Sequence, residues 1–189
     1  MKTVCLLGSP RRGGNSDTLA QKFCDEAIGK GADVKTYALS EMNYKGCINL
    51  FHCKNQLTRC GQNDDLTPVL ESIEQAEVLV LASPIYFTNL TGQLKMAIDR
   101  FFSFFVPGYP TAKVKTRLQH AQHVVLLQTQ GEPEERYTNI LDQYSASFTG
   151  LGFQHLHLIR AWGVREPEDI NQCEVAMEQC REVANQIYG

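Results

Sequence analysis

A chain of 189 residues with 43% apolar side chains can bury a sizeable core and sits near the upper end of one ordinary domain. Its 18 basic and 21 acidic side chains leave a net charge of −3, too balanced for an electrostatic footprint on nucleic acid or an anionic membrane. Small molecules and other proteins remain as partners.

The first apolar run, "TVCLLG" at 3–8, is far shorter than the ~20 residues of a membrane span and too short for a secretory core, so it reads as a strand. Helical spacing follows at 15–31, a strand at 33–39, a helix at 66–76 and a strand at 77–84. Helix 91–105, strand 123–129, helix 134–152, strand 154–163 and helix 166–189 complete the series. Strand and helix alternate throughout, which predicts parallel strands joined by helical crossovers, an α/β sheet with helices on both faces. Five such units suit a doubly wound, flavodoxin-like order, 2-1-3-4-5, with residues 1–189 as one domain. One stretch breaks the alternation: residues 41–65, "EMNYKGCINLFHCKNQLTRCGQNDD", are too long for a plain connection.

Seven cysteines, an odd count with no signal sequence ahead of them, place the chain in a reducing cytoplasm without disulfides. Cys173 and Cys180 stand seven apart on the last helix, about 10 Å along its axis, and read as packing residues.

In a doubly wound sheet the ligand lies beyond the carboxyl ends of the strands at the switch in strand order, which strand 1 borders. There the sequence reads "GSPRRGGNS", Gly8 to Ser16. Gly13 and Gly14 permit positive φ and close backbone approach, and Asn15 and Ser16 start a helix whose free N–H groups favour an anion. Ser9, Asn15 and Ser16 are hydrogen-bond donors, and Arg11 adds a forked cation. A Walker loop would need Lys and then Ser or Thr where Gly14 and Asn15 stand, and a dinucleotide fingerprint would need glycine where Pro10 stands. A terminal monophosphate is the candidate that remains. After strand 3, "SPIYFTNLTGQLKMAIDRFF" places Tyr86 and Phe87, flanked by Pro84 and Asn89, where they can lie against a flat ring.

With "GSPRRGGNS", "ASPIYFTNLTGQLKMAIDR", "TQGEPEE" after strand 4 and a cysteine-bearing insert between strands 2 and 3, the chain resembles the NADPH-dependent FMN reductases, especially their iron–sulfur flavoprotein branch. That resemblance implies FMN as cofactor, with Ser9, Arg11, Asn15 and Ser16 on its phosphate. It implies Pro84, Ile85, Tyr86, Phe87 and Asn89 along the ribityl chain and ring, and Thr129, Gln130 and Gly131 at the ring's far edge. It further implies hydride transfer from NADPH or NADH through flavin to a small acceptor, such as a quinone, flavin, nitro or azo compound, by a homodimer or homotetramer. Four phenylalanines in "DRFFSFFVPGY" cannot all face one core, and some are expected to face a partner subunit or the flavin. Lys95 and Asp99 are spaced to pair along their helix.

The iron–sulfur branch carries a compact C-x2-C-x2-C motif with a fourth cysteine a few residues on. Here Cys47, Cys53 and Cys60 match three positions, and Leu50 stands at the second. No metal is expected, and the insert reads as a cap over the flavin or a subunit contact. The flavin carries the chemistry in this scheme, so no side chain is assigned as catalytic, and the histidines at 120, 123, 155 and 157 lie outside the motifs. Three other readings stay open: a flavodoxin-type electron carrier, a flavin-bound redox sensor, and an iron–sulfur flavoprotein with an unusual ligand set.

Overall fold

The computed structural model describes residues 1–55 and 58–189; Gln56 and Leu57 of the 41–65 insert lie outside the described residues. Strands β1 (Lys2–Leu7), β2 (Asp33–Ala38), β3 (Val78–Tyr86), β5 (His123–Thr129) and β6 (His155–Ala161) form a parallel sheet in the order β2-β1-β3-β5-β6. This is the expected 2-1-3-4-5 order of the long strands. A sixth strand, the two-residue β4 (Asn89–Leu90), was not anticipated; it folds back antiparallel on the end of β3.

The alternation of side chains along each strand divides the core into two layers. Cys5, Leu7, Val80, Val125 and Ile159 face α1 (Asn15–Gly29) and α6 (Glu174–Tyr188), meeting Leu19, Phe23, Ala176 and Cys180. Val4, Leu6, Leu79, Leu81 and Leu126 face the other way, against α3 (Thr67–Glu74), α4 (Gly92–Arg100) and α5 (Ile140–Gly150). β1, β3 and β5 are covered on both faces, so their sequences read as nearly unbroken apolar runs.

All five helices are shorter than their sequence patterns, three of them by more than a turn. The 91–105 segment is α-helical only to Arg100 and tightens to a 3₁₀ turn over Phe101–Phe104. That turn buries Phe101 and Phe104 while Phe102 and Phe105 stay half-exposed and contact Tyr109 instead. α5 begins at Ile140, because residues 132–139 are drawn into a loop by side chains described below. The last helix begins at Glu174, after a separate 3₁₀ turn at Asp169–Gln172. Lys95 and Asp99 do pair, at 2.5 Å.

The insert lies over the end of α4. Its core contact is Tyr44, whose hydroxyl donates to the Gln93 carbonyl at 2.5 Å and whose ionisation burial pushes up to about 12. Arg100, with no exposed side-chain surface, donates to Asp64 (2.8 Å), the Lys45 carbonyl (3.0 Å) and Cys60 Sγ (3.0 Å). Lys54, on the single-turn α2 (His52–Asn55), donates to the Phe102 and Phe105 carbonyls, and Arg117 reaches the Cys53 carbonyl.

Candidate cofactor cleft

Three loops meet at the carboxyl ends of the strands. The first, Gly8–Gly14, leaves β1 and turns through Gly13, whose φ is +68°. Gly8 is pressed against its neighbours: a Cβ there would lie 2.8 Å from Leu94 Cβ and 3.0 Å from the Ala82 carbonyl oxygen. Gly8 N–H donates to that same oxygen at 2.8 Å, and Thr91 Oγ1 donates to the Gly8 carbonyl at 2.6 Å. Thr91 also accepts from Leu94 N–H as the N-cap of α4, so one hydroxyl joins the first loop to the second.

The second loop is the β3–β4 hairpin. Its two central residues, Phe87 and Thr88, both hold positive φ, +44° and +76°, the primed turn that a two-residue hairpin requires. Neither is glycine, and a β-branched residue in that region is strained. The third loop follows β5, from Gln130 to Asn139.

Together these loops enclose a cleft of about 240 Å³ lined by ten of the twelve residues expected from sequence: Ser9, Arg11, Asn15, Ser16, Pro84, Ile85, Tyr86, Thr129, Gln130 and Gly131. The other two do not line it. Phe87 stands fully exposed at the hairpin tip, because the primed turn throws its side chain clear of the sheet end. Asn89 turns toward α5, accepting from Tyr144 Oη at 3.1 Å and donating to Gln143 Oε1 at 3.3 Å.

Several lining side chains are already engaged. The Asn15 amide donates to the Glu166 carbonyl (2.9 Å) and accepts from Ile170 N–H (3.2 Å), so it stitches the first loop to the β6–α6 connection. Ser16 and Thr129 share a 2.6 Å hydroxyl pair, and Ser9 Oγ closes a local turn on Arg11. Gln130 points inward to the carbonyls of Pro133 and Arg136, and Arg160 binds the carbonyls of Glu134 and Arg136, which is why 132–139 is loop rather than helix. Gly13 N–H is taken by Asp17. Burial pushes the Asp17 carboxyl up, against the pull of Gly13 N–H and Arg12.

What remains free is cationic or backbone. α1 has Gly14 as its N-cap, with no side chain capping its first N–H groups, and among the described residues the Arg11 guanidinium has no partner. An uncapped helix start beside an unpaired arginine, with no carboxylate lining the cleft, suits an anion such as a phosphate monoester. Two further lining residues, Val164 and Arg165 from the β6–α6 connection, were missed by sequence reasoning, since they belong to no motif and are brought in by contacts with Gln130 and Gly131 and by the Asn15 bridge to Glu166.

A sequence model described as NADPH-dependent FMN reductase matches residues 1–134. The chain belongs to this family. Among curated relatives, an iron–sulfur flavoprotein of Archaeoglobus fulgidus is 32% identical over 71% of the chain and 58% of its own length. A Bacillus subtilis protein, YwqN, whose assignment as an NAD(P)H-dependent FMN-containing oxidoreductase is itself provisional, is 27% identical over 90% of the chain and 89% of its own. The chain spans 58% and 51% of the lengths of the first two iron–sulfur flavoproteins it matches. In fold it is similar to an NAD(P)H:quinone oxidoreductase of Methanothermobacter marburgensis, with TM-score 0.77 and 20% identity over 100% of this chain and 98% of that one. It is also similar to an FMN-dependent NADH-azoreductase of Bacillus anthracis in complex with FMN, with TM-score 0.74 and 16% identity over 100% and 99% of the two chains.

The iron–sulfur relatives raise the question of a cluster, and the insert's donor set does not fit one. Cys47, Cys53, Cys60 and His52 do line a common cavity, but it measures about 20 Å³, room for a single water. Cys60 Sγ is occupied by Arg100, and exposed Leu50 stands where the motif needs a second thiolate. No group of three or more His, Cys, Asp or Glu side chains among the described residues is arranged to hold a metal.

Proposed function

We propose that this FMN reductase family member is an NAD(P)H oxidoreductase that carries FMN in the cleft and delivers electrons to a small acceptor of the quinone, flavin, nitro or azo class. The observation that carries the proposal is the cleft itself, with its uncapped helix start and unpaired Arg11 at one end and Pro84, Ile85 and Tyr86 along its wall. Bound FMN would supply the hydride and electron transfer. The protein's share is to bind and orient it: the α1 N–H groups and Arg11 hold the phosphate, the Ser16–Thr129 pair fixes the floor, and Gln130 with Arg160 keeps the 130–139 loop in place. No side chain in the cleft is needed as acid, base or nucleophile.

We take residues 1–189 as one FMN-binding domain, acting in the cytoplasm as a homodimer or homotetramer. All seven cysteines are free, and large apolar side chains stand exposed beside the cleft and on the insert, among them Tyr86, Phe87, Leu50 and Phe51. No described helix is long and apolar enough to cross a membrane.

The test is to titrate the protein with FMN and with riboflavin, then add NADPH or NADH under anaerobic conditions. Preferential binding of FMN and bleaching of its visible bands support the proposal. Equal affinity for riboflavin would refute the phosphate site, and flavin that stays oxidised would refute the reductase.

A further inference from the structure

Arg165 is the second guanidinium on the cleft and lies outside the family motifs. Its Nε donates to the Gly131 carbonyl at 3.0 Å. Its stem lies flat on Gly131, where a Cβ would come within 2.9 Å of Arg165 Cγ, so the missing side chain at 131 makes room for the arginine. The backbone is pinned as well: Arg165 N–H and Glu166 N–H both donate to Asp169 Oδ2 at 2.8 Å, and Val164 N–H donates to the Gln130 carbonyl at 3.0 Å. The arginine is thereby held against the loop after β5. Its remaining N–H groups have no partner among the described residues, and the residue is exposed at the rim of the cleft.

A preset cation with a free fork, at the solvent edge of a cleft that no carboxylate lines, is matched to an anion arriving from solution. Resting on the function proposed above, we infer that Arg165 is the dock for the phosphates of the nicotinamide dinucleotide, distinct from the Arg11 site for the FMN phosphate. The shared chemistry is a phosphate group on the reduced co-substrate, either its pyrophosphate or a 2′-phosphate.

The experiment measures, by calorimetry on FMN-loaded protein, the binding of tetrahydro-NADPH and tetrahydro-NADH, which cannot give hydride, alongside FMN affinity by fluorescence. Arg165→Ala weakens the analogue by about ten- to a hundredfold, the worth of a charge-assisted contact, while FMN affinity holds. Arg165→Lys, which keeps the charge without the fork, falls between. Equal losses with both analogues assign the pyrophosphate, and a loss confined to tetrahydro-NADPH assigns the 2′-phosphate. Unchanged analogue binding overturns the inference, as does a parallel loss of FMN, which would make Arg165 a cofactor clamp. Wild-type protein that binds FMN but neither analogue refutes the parent proposal instead.

Discussion

Replacing Arg100 by Met tests whether charge, rather than metal, organises the insert. The side chain has no exposed surface and holds Asp64, Cys60 and two backbone carbonyls, of Lys45 and Gln62. Burial pushes the Asp64 carboxyl up, but the Arg100 guanidinium and the Lys45 and Leu66 N–H groups outweigh it and hold the group below its usual range. Methionine keeps most of the volume but takes the cation from Asp64, which is half-buried and keeps the Lys45 and Leu66 N–H groups, and the donor from both carbonyls, a loss of about 3–5 kcal/mol. At about 2–4 °C per kcal/mol for a chain of this size, the melting temperature falls by about 6–20 °C. The insert loosens first, so limited proteolysis cuts within 41–65 well below the global transition. Arg100→Met with Asp64→Leu removes both charges together and recovers much of the loss. The sign of the pH dependence follows: Asp64's contribution is present above the ordinary carboxylate value of 3.8 and is lost as pH falls through its lower folded value. A melting temperature unchanged in Arg100→Met, or a double variant worse than the single one, refutes the reasoning.

Three other perturbations probe separate parts of the molecule. Gly8→Ala drives a Cβ into the Ala82 carbonyl oxygen and Leu94; overpacking and the strained Thr91 and Ala82 hydrogen bonds cost about 2–4 kcal/mol in urea unfolding, and FMN affinity falls with the displaced loop. Arg11→Ala weakens FMN by about 1–3 kcal/mol and leaves riboflavin binding unmoved, read by fluorescence titration; an equal loss for both flavins would remove Arg11 from the phosphate. At the far end of the sheet His123 stacks on His155 and His157, and burial, reinforced by those two neighbours, lowers its ionisation to about 4. The stability it contributes is therefore complete above 6.5 and is lost as pH falls toward 4, and His123→Phe flattens that slope in melts across this range without altering FMN binding.

The doubly wound sheet was legible in the chain because β1, β3 and β5 are buried on both faces and must be apolar throughout, while α1 and α6 bury one face and must be periodic. The cleft was legible where one short segment carries its own chemistry: "GSPRRGGNS" needs glycines for its turn and offers a helix start to an anion wherever the strand puts it. Local pattern was silent about partners distant in the chain. Asn15 carries a donor suited to phosphate, yet both that donor and its amide oxygen go to residues more than 150 positions away, and only the packing of α6 beside α1 brings those carbonyl and N–H groups within reach. Phe87 left the cleft because the hairpin closes in two residues, a property of β3–β4 register rather than of the aromatic itself. Arg165 entered it for the complementary reason: an arginine in an unremarkable loop acquires a role only when Gly131, on another strand end, leaves space for its stem. Backbone propensity and hydrophobic period act over a few residues and are written in order along the chain, whereas the pairing of polar groups is settled by which loops the sheet order makes neighbours.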